Sequence, residues 1–293
     1  MRALLLGPNG QLGTDIQRVF AQSSSNIQLS LMGRTHLDVE NAESINEILR
    51  HVQFDVLINC TSYHKTDEVE LNATKAIAVN AHAVARLAEM CERKHARFVH
   101  VSTDYVFSGE KRRPYTETDS PAPLNVYGLS KYMGETLIRQ GCSRFWILRV
   151  ASLFGIAGAS GKGGNFIETI LRIAMDKGEV RVVSDVIMSP TSTKSVASMI
   201  LRMCESEADD GIYHAVNSGS ASWYEFASGF VSFMGLKANI VPINNSEYKA
   251  VARRPLYSVL SNEKISGLIG QIETWEEALH EYLIEKGHIQ RRA

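Results

Sequence analysis

The 293-residue chain reads as an α/β protein, a doubly wound parallel sheet carrying a smaller mixed α/β lobe toward its C-terminus. Three observations predict this. Short, wholly apolar runs alternate with segments of helical periodicity up to Arg149, the signature of strands covered on both faces. The first run, Ala3-Leu-Leu-Leu6, ends at the glycine turn Gly7-Pro-Asn-Gly10-Gln-Leu-Gly13, which opens a helix. Beyond Arg149 the alternation loosens. These observations place a first domain at residues 1–150 and a lobe at 151–293, part of which returns to the first domain.

The elements follow in order. Leu12, Ile16, Val19 and Phe20 lie on one side of a helix over residues 10–20, and residues 27–32 form the second strand. Asn41 can cap a helix carrying Ile45, Ile48 and Leu49. The third strand is residues 54–58. One long helix is expected from about Leu71 to Lys94, with Ala76, Val79, Ala83, Leu87 and Met90 at helical intervals. Residues 97–101 give the fourth strand, 126–139 a helix and 145–149 the fifth strand. In the lobe, residues 155–164 hold five glycines and read as a loop, followed by a helix over 165–175 and a strand over 180–183. Ser222-Trp-Tyr-Glu225 and Thr274-Trp-Glu-Glu277 match the capping box and should each open a helix. Trp223 and Trp275, inside those boxes, read as packing anchors.

Composition excludes several function classes. The formal net charge is -1, with no basic surplus to hold nucleic acid or an anionic membrane. No apolar run approaches the roughly 20 residues needed to span a bilayer, and the strand starting at Arg2 leaves no room for a leader. Four scattered cysteines form no CxxC pair, which suits a reduced cytoplasmic setting. The nine histidines show no metal-ligating spacing, so no metal is expected. His64, His100 and His214 read as structural or solvated. Lys162 lacks the following Ser or Thr of a P-loop and reads as part of a flexible loop.

Gly7, Gly10 and Gly13 stand between strand and helix, where missing side chains let backbone approach a pyrophosphate and helix amides face it. The second strand ends in Met32-Gly-Arg34-Thr35 with no acid to grip a ribose hydroxyl. An arginine there suits a 2′-phosphate, hence NADPH, with NADH as the other option. Arg34 as a plain solvated loop residue is the alternative. Asp38 and Val39 are placed to flank the adenine. Tyr127 and Lys131 fall one helical turn apart. A cation there would lower the pKa of a phenol that otherwise titrates near 10, making a proton donor. Ser102 and Thr103, at the end of the fourth strand, supply a hydroxyl to polarise a substrate oxygen. Together these residues point to a nicotinamide-dependent reductase of a carbonyl or alcohol.

The chain resembles the dTDP-4-dehydrorhamnose reductases of the extended short-chain dehydrogenase/reductase superfamily. The segments that carry the resemblance are Gly7 to Gly13, His36-Leu-Asp-Val39, Val101-Ser-Thr-Asp-Tyr-Val-Phe107, Pro114-Tyr-Thr-Glu-Thr-Asp119, Pro123 to Lys131 with Gly134-Glu135, Asn165-Phe166, Ser189-Pro-Thr191 and Arg253-Arg-Pro255. The resemblance implies a Rossmann dinucleotide-binding domain at 1–150 and a nucleotide-sugar-binding lobe at 151–293. It implies reduction of the C4 ketone of a dTDP-4-keto-6-deoxyhexose by NADPH. Tyr127 would protonate the C4 oxygen, Lys131 would hold the ribose, and Thr103 would bond that oxygen. Cofactor contacts would come from Gly7, Gly10, Gln11, Leu12, Gly13, Arg34, Asp38, Val39, Cys60, Thr61 and Tyr63, with Asn80 in support. Asp104, Tyr105, Ser152, Asn165 and Arg254 would meet the substrate. The protein would act as a monomer or homodimer, with no nucleic-acid or membrane partner.

The sequence departs from the family pattern at Thr61-Ser-Tyr63-His-Lys-Thr-Asp67, at Arg149-Val-Ala-Ser152, where a serine replaces the usual tryptophan, and at Asp185-Val-Ile-Met-Ser-Pro190-Thr. All three fall where substrate or cofactor would be lined. The alternatives are a nucleotide-sugar epimerase or dehydratase on the same fold, or a regulatory subunit that keeps the nucleotide pocket.

Overall fold

The computed structural model describes residues 1–158 and 164–291. In chain order the first half comprises β1 (Arg2–Leu6), α1 (Gln11–Gln22), β2 (Gln28–Met32), α2 (Ala42–His51), β3 (Val56–Asn59), α3 (Thr66–Glu70), α4 (Ala73–Ile77), α5 (Ala83–Arg93), β4 (Arg97–Thr103), α6 (Val126–Gly141) and β5 (Phe145–Val150). The second half comprises β6 (Leu153–Phe154), α7 (Phe166–Lys177), β7 (Glu179–Val183), β8 (Ile187–Met188), β9 (Thr191–Ser192), α8 (Thr193–Cys204), β10 (Gly211–His214), β11 (Ala221–Ser222), α9 (Trp223–Phe233), β12 (Asn239–Ile243), α10 (Glu263–Ile269) and α11 (Trp275–Glu285).

Six strands form one parallel sheet in the order β10-β5-β4-β3-β1-β2. The chain runs outward from β1 to β2, then returns to the other side of β1 at β3. The reversal therefore lies between β1 and β3, the place where a doubly wound sheet opens a ligand crevice. Both faces are covered. Ala3, Leu5, Ile58 and Leu148 pack beneath α1, α8 and α10, while Leu4, Leu6, Leu57 and Phe98 pack beneath α2, α5 and α6. This double cover is why the strands read as unbroken apolar runs.

β10 comes from the second half of the chain and pairs with β5, setting His214 beside Arg149. Neither β10 nor α8 stood out in the sequence. The rest of the second half has its own core, in which Phe154, Phe226, Phe230 and Trp275 pack among α7, α9 and α11. Trp223 packs against Phe166 at 4.6 Å between ring centroids. Both capping boxes form as expected: Ser222 with Glu225, and Thr274 with Glu277. Asn41 caps α2 by accepting from the amides of Glu43 and Ser44.

The long helix expected from Leu71 to Lys94 is not continuous. A separate α3 precedes it, Leu71 and Asn72 interrupt the chain, and helix resumes at Ala73. Asn72 donates its side-chain amide to the Glu68 carbonyl at 2.7 Å, closing α3 rather than extending it. Between α4 and α5, residues Ala78–His82 take a π-helical turn that contains Asn80. The one extra residue changes which side chains face inward, and such turns recur at functional sites. The third strand is Val56–Asn59, shifted from the expected 54–58. Of the expected glycine loop, Gly155 to Gly158 close a turn through Gly158 N–H to Gly155 O at 3.1 Å. Lys162 lies outside the described residues.

Candidate active site

The glycine turn is built as a cradle. Gly7 has φ +78°, a left-handed conformation that a side chain would strain. A Cβ there would also stand 3.2 Å from the Cys60 carbonyl carbon, across the β1–β3 crevice. A Cβ on Gly13 would fall 2.2 Å from the Gly7 carbonyl oxygen, so only glycine lets the turn fold onto the helix. Gly10 precedes α1, and no side chain caps that helix. The first-turn amides of Gln11, Leu12 and Gly13 are thereby left for an anion, with the helix dipole behind them. Leu12 itself is buried in the core. Gln11 donates to the Leu153 carbonyl at 3.1 Å, while its Oε1 is buried without a protein partner.

Around this turn stand the other residues expected to hold a dinucleotide. Arg34, after β2, is largely exposed and bonds Glu40 at 2.8 Å, with Asp38 3.8 Å away. Asp38 accepts from the Glu40 amide, and Val39 packs against the α2–α5 core. After β3, Cys60 is held as a thiol: burial pushes its pKa up to about 12, with Lys131 acting weakly against it. Thr61 donates both its amide and its hydroxyl to Asn59 Oδ1. Tyr63 donates its hydroxyl to Glu68 at 2.7 Å. Asn80 locks this loop, accepting from Tyr63 N–H at 2.9 Å and donating to Tyr63 O at 2.9 Å and Ser130 Oγ at 3.0 Å. The π turn thus ties the β3 loop to α6.

The chemical group lies at the C-terminal end of β4. Thr103 is buried. Its hydroxyl accepts from the Tyr105 amide at 3.2 Å and donates to Asp104 Oδ1 at 3.1 Å. Tyr127 sits in the first turn of α6, which Asn125 caps by accepting from Gly128 N–H at 2.8 Å. Glu70 accepts from the Val126 amide at 2.9 Å, a second tether on that turn. Burial pushes the Tyr127 phenol up to about 12, with the hydroxyls of Thr103 and Ser62 acting in the opposite direction. Lys131 is not among the groups acting on it. The lysine is 1% exposed and turned toward the sheet, donating to Val101 O at 2.7 Å with His100 Nε2 at 3.0 Å. The phenol is thus raised where the neighbouring lysine was expected to lower it, because desolvation dominates.

The residues expected at the substrate divide. Tyr105 meets Tyr127 edge to face, with centroids 6.0 Å apart. Asp104 is 3% exposed, and burial pushes its carboxyl up to about 6. The hydroxyls of Ser258 and Thr103 act against that rise. Arg254 bonds Asp67 at 3.0 Å on a segment fastened by Asn125 Nδ2 to Arg253 O. Ser152 has φ +43° at the turn between β5 and β6. Asn165 differs from the rest. It caps α7 through Glu168 N–H and donates to Gly155 O and the Tyr282 hydroxyl, so its polar atoms serve the lobe's own packing.

Four participants were given no part in the chemistry by the sequence. Asn59 and His100 form a buried chain to Lys131, and Glu135 with Arg149 form a buried ion pair behind Ser102. For two of them a signal existed: Asn59 and Arg149 are polar at the carboxyl ends of otherwise apolar strands.

The model of the RmlD substrate binding domain matches residues 1–287. A dTDP-4-dehydrorhamnose reductase of Burkholderia thailandensis is 34% identical over 95% of this chain and 97% of its own. The chain belongs to the dTDP-4-dehydrorhamnose reductase family. The spore coat polysaccharide biosynthesis protein SpsK of Bacillus subtilis is similar at 36% identity, over 97% of this chain and 98% of its own. The crystal structure of a Bacillus anthracis dTDP-4-dehydrorhamnose reductase in complex with NADP superposes with a TM-score of 0.90 at 32% identity, covering 97% of this chain and 99% of that one. The six-stranded parallel sheet is the family's Rossmann-type core. Among the described residues, no cluster could hold a metal ion, and no helix is long and apolar enough to cross a membrane.

Proposed function

We propose that this chain reduces the C4 ketone of a dTDP-4-keto-6-deoxyhexose with NADPH. The observation that carries the reading is the convergence, at one end of the sheet, of Thr103 and Tyr127 with the open glycine cradle at the β1–β3 reversal. The cradle fits a dinucleotide: a Cβ on Gly7 or Gly13 would fill it, and the capless start of α1 offers amides to a pyrophosphate. The loops after β2 and β3, with Arg34, Asp38, Val39, Cys60, Thr61 and Tyr63, would line the remainder of that groove.

Bound NADPH supplies a hydride to the ketone carbon. The protein's part is the proton and the positioning. The Tyr127 hydroxyl donates its proton to the C4 oxygen as negative charge develops there. A high phenol pKa keeps that proton in place before reaction. Thr103 turns its hydroxyl from Asp104 to the same oxygen, stabilising the charge that develops there. Lys131, one helical turn beyond Tyr127, is the residue that would hold the cofactor's ribose. Asp104, Tyr105, Ser152 and Arg254 frame the sugar, and Ser152 leaves room where relatives carry an aromatic wall. A purely regulatory role would not require the intact Thr103, Tyr127 and Lys131 set.

Tyr127→Phe tests the assignment. NADPH binding should persist while turnover falls by a factor of about 10²–10⁴. Unchanged turnover would sink the role given to Tyr127.

A further inference from the structure

Lys131 is held by a chain of hydrogen bonds whose polarity can be read from one end. Thr61 is the anchor. Its amide N–H lies 3.0 Å from Asn59 Oδ1, and its hydroxyl oxygen lies 2.6 Å from the same atom. A backbone amide can only donate, so the atom of Asn59 facing it is the carbonyl oxygen. The other end of the Asn59 amide is then its NH₂, 3.1 Å from His100 Nδ1. That contact makes Nδ1 an acceptor. A neutral imidazole with a bare Nδ1 carries its proton on Nε2. Nε2 faces Lys131 Nζ at 3.0 Å.

An ammonium has three donors and no acceptor, so it cannot receive that Nε2–H. A neutral amine can. It accepts from His100 while donating to Val101 O at 2.7 Å. All three side chains are buried, with Asn59 and His100 0% exposed and Lys131 1% exposed, so water cannot substitute for a missing partner.

We propose that Asn59 and His100 are positioning residues that set the proton inventory of Lys131, favouring its neutral amine through an Nε2–H donor. This inference rests on the reductase reading for its consequence but not for its test. Each turnover moves one proton from Tyr127 to the new alcohol. Lys131 as ammonium can return a proton to the phenolate and become the amine that His100 bonds, and a proton from bulk water recharges it once the product has left. A lysine permanently charged would hold its proton too tightly for that exchange.

The groups around Lys131 agree with an exchangeable proton. Burial lowers its pKa to about 8, with Glu135 on the same helix acting to raise it. Glu135 is itself neutralised by Arg149 of β5. On the β4 side, burial keeps His100 well below its usual range, so the ring is uncharged.

The test is ring-nitrogen NMR on the full-length, cofactor-free protein with ¹⁵N-labelled histidine, His100 being assigned by His100→Gln. The expected result is an Nε2–H tautomer with a bare Nδ1. An Nδ1–H tautomer would overturn the proposal. Asn59→Asp supplies the second measurement. A carboxylate accepts from both Thr61 and His100, so the ring should switch to Nδ1–H, as a histidine does beside aspartate. Nε2 then accepts from an ammonium, and the Lys131 titration, followed at ¹³Cε, should rise by about one pH unit or more. A variant that folds and keeps Nε2–H contradicts the proposal. Neither measurement uses turnover, so failure here is distinct from failure of the reductase reading.

Discussion

Arg149 grips both carboxylate oxygens of Glu135, with Nε 3.0 Å from Oε1 and Nη2 2.7 Å from Oε2, and both side chains are 1% exposed. The pair links β5 to α6, and Ser102 donates to the same Oε1 at 2.5 Å. One bond network therefore fixes the end of β4, which carries Thr103, against the helix that carries Tyr127. The Arg149 guanidinium also lies over the Phe107 ring at 5.0 Å.

Removing one partner leaves the other charge buried. Arg149→Met should cost about 3–5 kcal/mol of stability. Urea unfolding checks this, read as a midpoint shift at constant slope. The double variant Glu135→Leu, Arg149→Met should lose less than the two single losses combined, because no orphan charge remains.

Asn80→Ala removes the tie between the π turn, the Tyr63 backbone and Ser130. Each buried polar group left without a partner costs about 1–3 kcal/mol, and the released segment is one proposed to line the cofactor groove. NADPH affinity should fall about tenfold or more, measured by fluorescence titration. An unchanged affinity would mean that the Tyr63 loop plays no part in binding.

Asp104 gives a pH signature. Its carboxyl is raised from 3.8 to about 6 in the folded chain, first by burial. Between those values the folded state binds more protons than the unfolded one, so stability falls as pH rises through the window. The contribution is fully present below 3.8 and lost above about 6. A displacement of this size corresponds to roughly 3 kcal/mol. Asp104→Asn should flatten stability between pH 4 and pH 7, measured by denaturation across that range. A slope identical to the parent's would remove Asp104 from the account.

Arg34 is the residue proposed to choose between cofactors. Its partners Glu40 and Asp38 lie at the exposed end of the groove, where a 2′-phosphate can compete for the guanidinium. A hydrogen bond to a charged group is worth about 1.5–3 kcal/mol. Arg34→Ala should raise KM for NADPH about tenfold and leave KM for NADH unchanged.

The cradle was legible because its chemistry is local. Gly7, Gly10 and Gly13 sit within one turn, and strand–turn–helix context is visible in neighbouring residues. Tyr127 and Lys131 are likewise one helical turn apart. Asn59, His100 and Lys131 were not legible as a group, because they come together only when β3, β4 and α6 pack side by side. His100 inside Arg97–Thr103 looked like an ordinary buried histidine, and nothing local announces its partner. β10 was missed for a related reason. Gly211–His214 is too short to show a period, and its place is fixed by pairing with β5. The interruption at Leu71 and Asn72 was hidden because apolar spacing continues across it, and only the Asn72 side chain reveals the stop.

The central claim is tested most directly by following NADPH absorbance when dTDP-4-keto-6-deoxy-L-mannose is added to the protein. The account predicts oxidation of one NADPH for each ketone reduced, lost in Tyr127→Phe. No oxidation by a protein that demonstrably binds NADPH would contradict it.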